Sequence, residues 1–243
     1  MEASLLLLAG IGLFLAGVLK GVTGLGYSSC ALPFLVGSVG LKPAMVLILL
    51  PAMATNISVT VTAGHFAETA KRFSRLYVAI LPGIAVGLLL LAWLPQSVAV
   101  RSLGVVILAY STLSLVRPDF VLSRKSERRL QVPAGFANGV IAGLTGSQVM
   151  PLFPFMMALE LDSNRLMQAI NLAVTLTSAI LAIGLFSTGV MTPELALGSV
   201  IAVAPAIGGA NLGARLRSHV SVSRLKTIVL MTLFGSGVLM LLR

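Results

Sequence analysis

A few polar side chains of this chain stand inside long apolar stretches, where polar groups cost free energy and usually have a role. Lys20 is the one basic residue clearly inside such a stretch. Asn56 and Thr60 lie four residues apart in one apolar segment, and Asn171 and Thr175 repeat that spacing in another. Residues four apart share a helix face. Each pair therefore predicts a polar face that can donate hydrogen bonds to an anion, and Lys20 can pair with the anion's charge.

Each of these residues also has a purely structural interpretation. The Asn side chains can cap loose backbone groups, and a Thr hydroxyl can bond the carbonyl four residues before it. Lys20 can extend its long stem to the nearer membrane interface. The sequence leaves both interpretations open for all three kinds of residue.

The segment from Phe14 to Phe34 is apolar at both ends and polar in the middle, and glycines interrupt it. Each interior Gly costs a helix roughly 1 kcal/mol relative to Ala, and backbone left unpaired in lipid costs more. The segment therefore predicts a broken helix that lines a cavity. The N-terminus of a broken helix offers free N–H groups and partial positive charge to an anion. The candidate donors are Thr23, Gly24, Gly26, Tyr27, Ser28 and Ser29.

This Gly-rich opening occurs twice in the chain. The segments Phe14–Gly24 and Phe136–Gly146 are identical at six of eleven positions, and further matches follow in the same order. The chain is therefore a duplication of one unit of about half its length. Ala142 occupies the position that corresponds to Lys20. The candidate donors in the second copy are Thr145, Gly146, Ser147 and Gln148.

The composition predicts an integral membrane protein. Of the 243 residues, 57% are hydrophobic and 10% are charged, and the mean hydropathy is +1.03, which is too apolar for a soluble domain of this size. Two long stretches, Ala3–Leu41 and Val132–Leu159, hold the Gly-rich repeats. The predicted plain spans are Ala44–Ala63, Leu76–Leu94, Ser102–Val116, Leu166–Phe186, Leu195–Gly213 and Thr227–Leu242.

Loop charges favour re-entrant hairpins at the two Gly-rich stretches. If each stretch enters and leaves on the same side, thirteen Lys and Arg lie on one side and three on the other, with Lys20 excluded. If each stretch crosses once, the split is nine against seven. The first arrangement obeys the positive-inside rule, and it makes the two halves inverted repeats. Eight plain spans in parallel halves are the alternative.

The predicted fold is therefore an all-α polytopic membrane protein with about eight membrane segments. It has two inverted repeats, each consisting of a broken Gly-rich hairpin and three transmembrane helices, and both termini lie outside the cytoplasm. The first repeat takes residues 1–120, a cytoplasmic basic linker takes 121–131, and the second repeat takes 132–243. Inverted repeats with broken helices are common in secondary transporters.

The distribution of titratable residues favours a transporter of a small anion over an enzyme. No Asp or Glu lies in the middle of a predicted span, so the carboxylate of a cation site or proton relay is missing. His65 and His219 lie at span ends, where they predict neither a metal centre nor Ser–His chemistry. No cofactor is expected. A passive anion channel stays open as the alternative to a carrier that works by alternating access.

The expected partners are a small anion and membrane lipid. The net charge of +10 is explained by short loops that set orientation in the membrane, so nucleic acid is not an expected partner. The sequence leaves open whether the chain forms a homodimer.

A motif of the form Phe-x-x-Gly-x-x-x-Gly-x-x-Gly opens both halves, and a Pro and then an Asn follow it in each. Its residues are Phe14, Gly17, Gly21, Gly24, Pro33 and Asn56, and then Phe136, Gly139, Gly143, Gly146, Pro154 and Asn171. Over nearly the whole chain this pattern resembles the sulfite exporter TauE/SafE family, of the toluene sulfonate uptake permease type. The Gly-rich run is thinner here than in typical members. The resemblance implies a cell-membrane transporter of sulfite, organosulfonates or related organic anions. The organic tail of such a substrate is expected to rest on Phe34 and Phe155.

Overall fold

The computed structural model describes residues 3–23, 26–116, 121–217, 219 and 222–242. These residues form eleven helices and no β-strand. The helices are α1 (Ala3–Thr23), α2 (Tyr27–Val39), α3 (Leu41–Ala63), α4 (Phe66–Arg72), α5 (Ser74–Trp93), α6 (Gln96–Val116), α7 (Arg124–Thr145), α8 (Leu152–Met157), α9 (Ser163–Ser187), α10 (Pro193–Leu216) and α11 (Val222–Leu242).

These helices confirm an all-α polytopic membrane protein. Five of them, α3, α5, α6, α9 and α10, are long and apolar enough to cross a membrane. Shorter apolar stretches lie in α1, α2 and α11. Every predicted plain span corresponds to one helix, and the largest shift is that α6 begins at Gln96 rather than Ser102.

Both Gly-rich stretches break into two helices, as the sequence predicts. The first break lies between α1 and α2, and the second lies between α7 and α8. Gly26 precedes α2 with a φ of 87°, and Gly146 follows α7 with a φ of 76°. Glycine adopts this left-handed region without the steric cost that a side chain brings, so the chain can change direction at both points.

The second hairpin differs from the predicted one in its bounds. α7 begins at Arg124, inside the predicted linker 121–131, because the Ser123 hydroxyl accepts a hydrogen bond from Ser126 N at 3.3 Å and caps the first turn. Glu127 in that turn is buried. Its carboxylate accepts two hydrogen bonds of 2.7 and 2.8 Å from the Arg72 guanidinium, which hold the start of α7 against α4. α8 has only 6 residues, whereas α2 has 13.

Glycines bring two pairs of helices into backbone contact. A Cβ atom on Gly21 of α1 would overlap the carbonyl oxygen of Ala210 in α10. A Cβ atom on Gly139 of α7 would likewise overlap the carbonyl oxygen of Ile80 in α5. Small residues allow such close approach between membrane helices, where packing rather than the hydrophobic effect drives association.

The pairing of helices follows the duplication of the sequence. Exchanging the two repeats turns the α1–α10 pair into the α7–α5 pair, and it leaves the α3–α9 and α6–α11 pairs unchanged. Two repeats related by a twofold axis would pack in this way. The inverted orientation of the repeats stays a prediction.

Ion pairs bring several basic loop segments together at one end of the bundle. Arg165, in the first turn of α9, forms an ion pair with Glu68 of α4, with an Nε–Oε1 distance of 2.8 Å. This contact favours a re-entrant hairpin at the second Gly-rich stretch, because a stretch that crossed only once would carry Arg165 to the far end from Glu68. The segments at this end, which we call the charged end, are residues 64–75, 123–131 and 160–165.

Candidate functional site

The Lys20 side chain joins the two halves of the protein at one point. It is 4% exposed, and its Nζ donates hydrogen bonds to the Oδ1 atoms of Asn56 and Asn171, the latter at 3.1 Å. Asn56 belongs to α3 and Asn171 to α9, at matching positions of the two repeats. The ammonium group is thus held between amide oxygens in the interior and does not extend to a membrane interface.

A small cavity lies beside the two asparagines. Its volume of about 20 Å³ has room for about one water molecule. Residues from both hairpins and from α3 and α9 line it, so the cavity lies where the repeats meet. Six of the predicted site residues share it. The lining residues are Gly26, Tyr27, Ser28, Asn56, Gln148, Val149, Leu152, Phe153, Ile170, Asn171 and Val174.

The first turn of α2 presents unpartnered polar groups. Among the described residues, its first backbone hydrogen bond runs from Cys30 N to the carbonyl oxygen of Gly26 at 3.1 Å, and the N–H groups before Cys30 have no acceptor within the helix itself. The hydroxyls of Tyr27, Ser28 and Ser29 are buried and have no hydrogen-bond partner. Tyr27 and Ser28 line the cavity, and Ser29 does not. Unpaired buried donors of this kind can hold an anion.

The second break contributes one polar side chain to the cavity. After Gly146 the chain is irregular, and the Thr145 hydroxyl accepts a hydrogen bond from Ser147 N at 3.2 Å. The Ser147 hydroxyl is buried without a partner and lies outside the cavity lining. Gln148 lines the cavity, and its Nε2 donates to the Ser178 hydroxyl at 2.9 Å. The second hairpin therefore meets the first across the cavity through Gln148.

Asn138 is a buried residue of α7 that the sequence analysis missed. Its Nδ2 donates to the carbonyl oxygens of Gln148 at 3.0 Å and Met150 at 3.2 Å. These carbonyls belong to the irregular segment, and leaving them unpaired in a membrane interior would cost free energy. A comparison of the two repeats could have identified Asn138, because it is a polar residue in an apolar segment where the first repeat has Ala16. Asn138, rather than Asn56 or Asn171, thus stabilises the broken backbone.

The two threonines predicted to face the substrate bond their own helices. Thr60 Oγ1 donates to the carbonyl oxygen of Asn56 at 2.9 Å, and Thr175 Oγ1 donates to that of Asn171 at 2.8 Å. These bonds agree with the structural alternative, in which a Thr hydroxyl bonds the carbonyl four residues before it in the same helix. Neither threonine lines the cavity, so the polar face that reaches it consists of the asparagines alone.

Some predicted contributors to the site lie elsewhere or outside the described residues. Phe34 is 39% exposed, Phe155 borders a separate apolar groove, and neither ring lines the cavity, so their contact with a substrate tail stays a prediction. Phe153 lines the cavity instead. Residues two apart in a helix point about 200° apart around its axis, so α8 cannot present both rings to one cavity. Gly24 and the side chain of Thr23 fall outside the described part of the chain.

Four of the five carboxylates among the described residues lie at the charged end, and the fifth, Glu194, lies in the first turn of α10. Hydrogen bonds from Arg165 lower the pKa of Asp162 to about 2, and the same guanidinium lowers the pKa of Glu68. Both groups are therefore ionised at neutral pH and paired with arginine. Every Asp and Glu among the described residues lies in a loop or in the first turn of a helix. Within that part of the chain, no carboxylate is left to neutralise Lys20 at the cavity.

The fold and the site together define a class: a polytopic membrane protein whose duplicated broken helices enclose a buried polar centre, an arrangement found in membrane transporters. The family model described as Sulfite exporter TauE/SafE matches residues 8–240. The chain therefore belongs to the sulfite exporter TauE/SafE family. Membership places it among membrane anion transporters. No curated protein and no solved structure matches the chain.

Proposed function

We propose that the protein is a secondary transporter that carries a small anion by alternating access, with sulfite and organosulfonates as its substrate class. The transporter works in the cell membrane, with both termini outside the cytoplasm. Family membership supports an anion as the substrate. The helix pairs are preserved when the two repeats are exchanged, and this symmetry supports a mechanism in which the repeats move against each other.

The observation that carries this proposal is the setting of Lys20. Its ammonium lies in the interior between the neutral oxygens of Asn56 and Asn171. A buried charge without an opposite charge is costly, and an anion that enters the adjacent cavity would supply one. The hydroxyls of Tyr27 and Ser28 have no other hydrogen-bond partner, so they can donate to the same anion.

The shape of a sulfonate suits this set of donors. Its three oxygens can accept from several donors at once, whereas a carboxylate offers two oxygens. Apolar lining residues such as Leu152 and Phe153 would contact an organic tail. Sulfonate is therefore expected to outcompete a carboxylate of the same tail.

The small volume of the cavity, about 20 Å³, favours a carrier over a passive channel. Room for about one water molecule is too little for a sulfonate, so binding requires the hairpins to separate from α3 and α9. A channel needs a continuous wet path, whereas a carrier passes through a closed state. A carrier gives flux that saturates with substrate and exchanges across the membrane.

Reconstituted proteoliposomes that contain labelled sulfonate test the function. External sulfonate or sulfite is expected to drive exchange, and chloride is not. Asn56→Ala and Asn171→Ala should strongly weaken exchange, because each removes an oxygen that holds Lys20. Thr60→Val and Thr175→Val are the matched controls on the same helices. They should leave exchange nearly unchanged, since both hydroxyls bond their own helix.

Three results would contradict the proposal. Flux that does not saturate and shows no exchange would assign the protein to channels. Uptake of a cation such as choline, with no response to any anion, would show that the protein does not carry anions. Normal exchange in both Asn variants, with normal expression, would make the central cluster structural.

A further inference from the structure

An apolar groove opens on the surface of the second hairpin, separate from the small cavity lined by Asn56 and Asn171. Its volume is about 430 Å³, and it runs between the first half of α7 and α8. No residue lines both spaces. The groove is lined by Leu122, Leu130, Pro133, Ala134, Pro151, Pro154, Phe155 and Ala158.

The groove exists because the second hairpin is shorter than the first. In the first hairpin, α2 covers α1, and Gly12 lies directly against Phe34. The matching residues of the second repeat are Ala134 and Phe155, and both line the open groove. α8 ends at Met157, where the carbonyl oxygen of Ala158 accepts a hydrogen bond from Leu122 N at 2.8 Å. The face that α2 covers in the first repeat is therefore left open in the second.

Two exposed basic residues lie at the charged end of α7, the helix that forms one wall of the groove. Lys125 and Arg129 are four residues apart, and Pro133 follows four residues later, so the three share one face of α7. Lys125 and Arg129 are exposed, and neither has an ion-pair partner among the described residues. Arg124 differs, since its guanidinium lies 4.0 Å from Glu127. The basic pair therefore shares its face of α7 with Pro133 at the edge of the groove, and Leu130 and Ala134 continue the groove about 60° and 100° further around the helix.

We propose that this groove is a binding site for an anionic phospholipid. One acyl chain lies along the apolar lining, and the headgroup phosphate is bound by Lys125 and Arg129. The order along the helix axis matches that of a phospholipid. The basic residues at the end of the bundle correspond to the headgroup, and the apolar groove further inside corresponds to the acyl chain. Basic clusters beside membrane helices attract anionic lipids in this way.

A second copy of the chain fits the groove less well. A twofold interface on this face would bring two pairs of unpaired basic side chains toward one another, and like charges across an interface oppose association. A lipid brings the opposite charge with its own apolar chain. The site is independent of the transported substrate.

The purified full-length chain tests the proposal through its thermal unfolding. Phosphatidylglycerol and phosphatidylcholine with identical acyl chains are titrated separately, and lipid retained after washing is measured by mass spectrometry. Phosphatidylglycerol is expected to raise Tm in a saturable way and to be retained, and phosphatidylcholine is not. Lys125→Gln/Arg129→Gln should weaken the apparent affinity for phosphatidylglycerol about tenfold or more.

A matched variant separates this site from general charge attraction. Arg124→Gln/Arg128→Gln removes the same charge from the same helix turns on another face, and it should keep the phosphatidylglycerol effect. Ala134→Phe fills the groove and should abolish retention while the basic pair is intact. Ala158→Leu tests the groove from the other wall if Ala134→Phe does not fold.

Several outcomes would overturn the proposal. An equal Tm rise with the two lipids, or an equal loss of affinity for phosphatidylglycerol in both double Gln variants, would show that the lipid is attracted non-specifically. Inorganic phosphate that reproduces the Tm rise would show a simple anion site. A dimer that forms without lipid and dissociates on Ala134→Phe would assign the groove to a second copy.

Discussion

Lys20 is the only Lys or Arg side chain that is buried among the described residues. The repeat-equivalent position holds Ala142, so one ammonium group serves two matching asparagines. Asn171 Nδ2 donates one hydrogen bond to the carbonyl oxygen of Met167 at 2.8 Å. Its second N–H and the Nδ2 of Asn56 can donate to a bound anion while both Oδ1 atoms accept from Lys20. At this scale the duplication supplies the symmetric pair, and a single unmatched residue supplies the charge.

Lys20→Met keeps most of the stem and removes the ammonium. Loss of a buried charge interaction is worth roughly 1.5–3 kcal/mol, so the apparent affinity for sulfonate or sulfite should fall more than tenfold. Concentration-dependent exchange in proteoliposomes measures it. Lys42→Met is the control, because Lys42 lies in the first turn of α3, well before Asn56. Unchanged affinity in a normally expressed Lys20→Met protein would contradict a role in binding.

At the scale of elements, two kinds of glycine have separate functions. Gly26 and Gly146 adopt a positive φ at the helix breaks and allow the hairpins to form. Glycines inside α1, α5, α7 and α10 instead allow backbones to touch. The contacts join α1 to α10 and α5 to α7, so each hairpin is anchored to a long helix of the other repeat.

Gly83→Ala tests these contacts. In a helix interior, Ala is favoured over Gly by about 1 kcal/mol, but a Cβ at Gly83 would overlap the carbonyl oxygen of Phe136. We expect destabilisation of about 1–3 kcal/mol, seen as a lower Tm of the purified protein. Gly10→Ala, with nothing within 4 Å of the added atom, should be neutral or stabilising. A Tm for Gly83→Ala at or above that of Gly10→Ala would mean that the close contact is not needed.

For the whole molecule, the contacts fix which segments share an end. Glu68 and Arg165 meet at the charged end. At the other end, a Cβ on Gly40 would lie 3.2 Å from Gln96 Nε2, so the α2–α3 junction lies beside the start of α6. Gly12 against Phe34 places the first half of α1 alongside the second half of α2. These relations agree with the predicted topology, in which the basic loops are cytoplasmic and both termini are outside.

Single cysteines in a Cys30→Ser background test that topology in intact cells. Ser126→Cys and Asn164→Cys should both be shielded from an impermeant thiol reagent, because hairpins return the chain to the cytoplasmic side. Ser97→Cys should be labelled and serves as the positive control. Ser218, another predicted cytoplasmic position, lies outside the described residues. Labelling of Asn164→Cys but not Ser126→Cys would show that the second stretch crosses once and that the halves are parallel.

The sequence by itself determined the membrane class, the duplicated unit, the breaks at both Gly-rich stretches and the polar residues at depth. These features depend on local composition and on spacing along the chain, which a single sequence contains. Lys20, Asn56 and Asn171 stand out for this reason, because a polar residue in an apolar segment is visible without knowledge of its neighbours.

Only the tertiary structure decided which of these residues meet. Lys20 is 36 residues from Asn56 and 151 from Asn171, and no local pattern specifies that one ammonium lies between them. The same limit explains why Phe153 rather than Phe155 lines the cavity and why Asn138 went unnoticed. Their roles depend on the rotation of α8 and on the path of the irregular segment. Both are set by packing between helices that are distant in sequence.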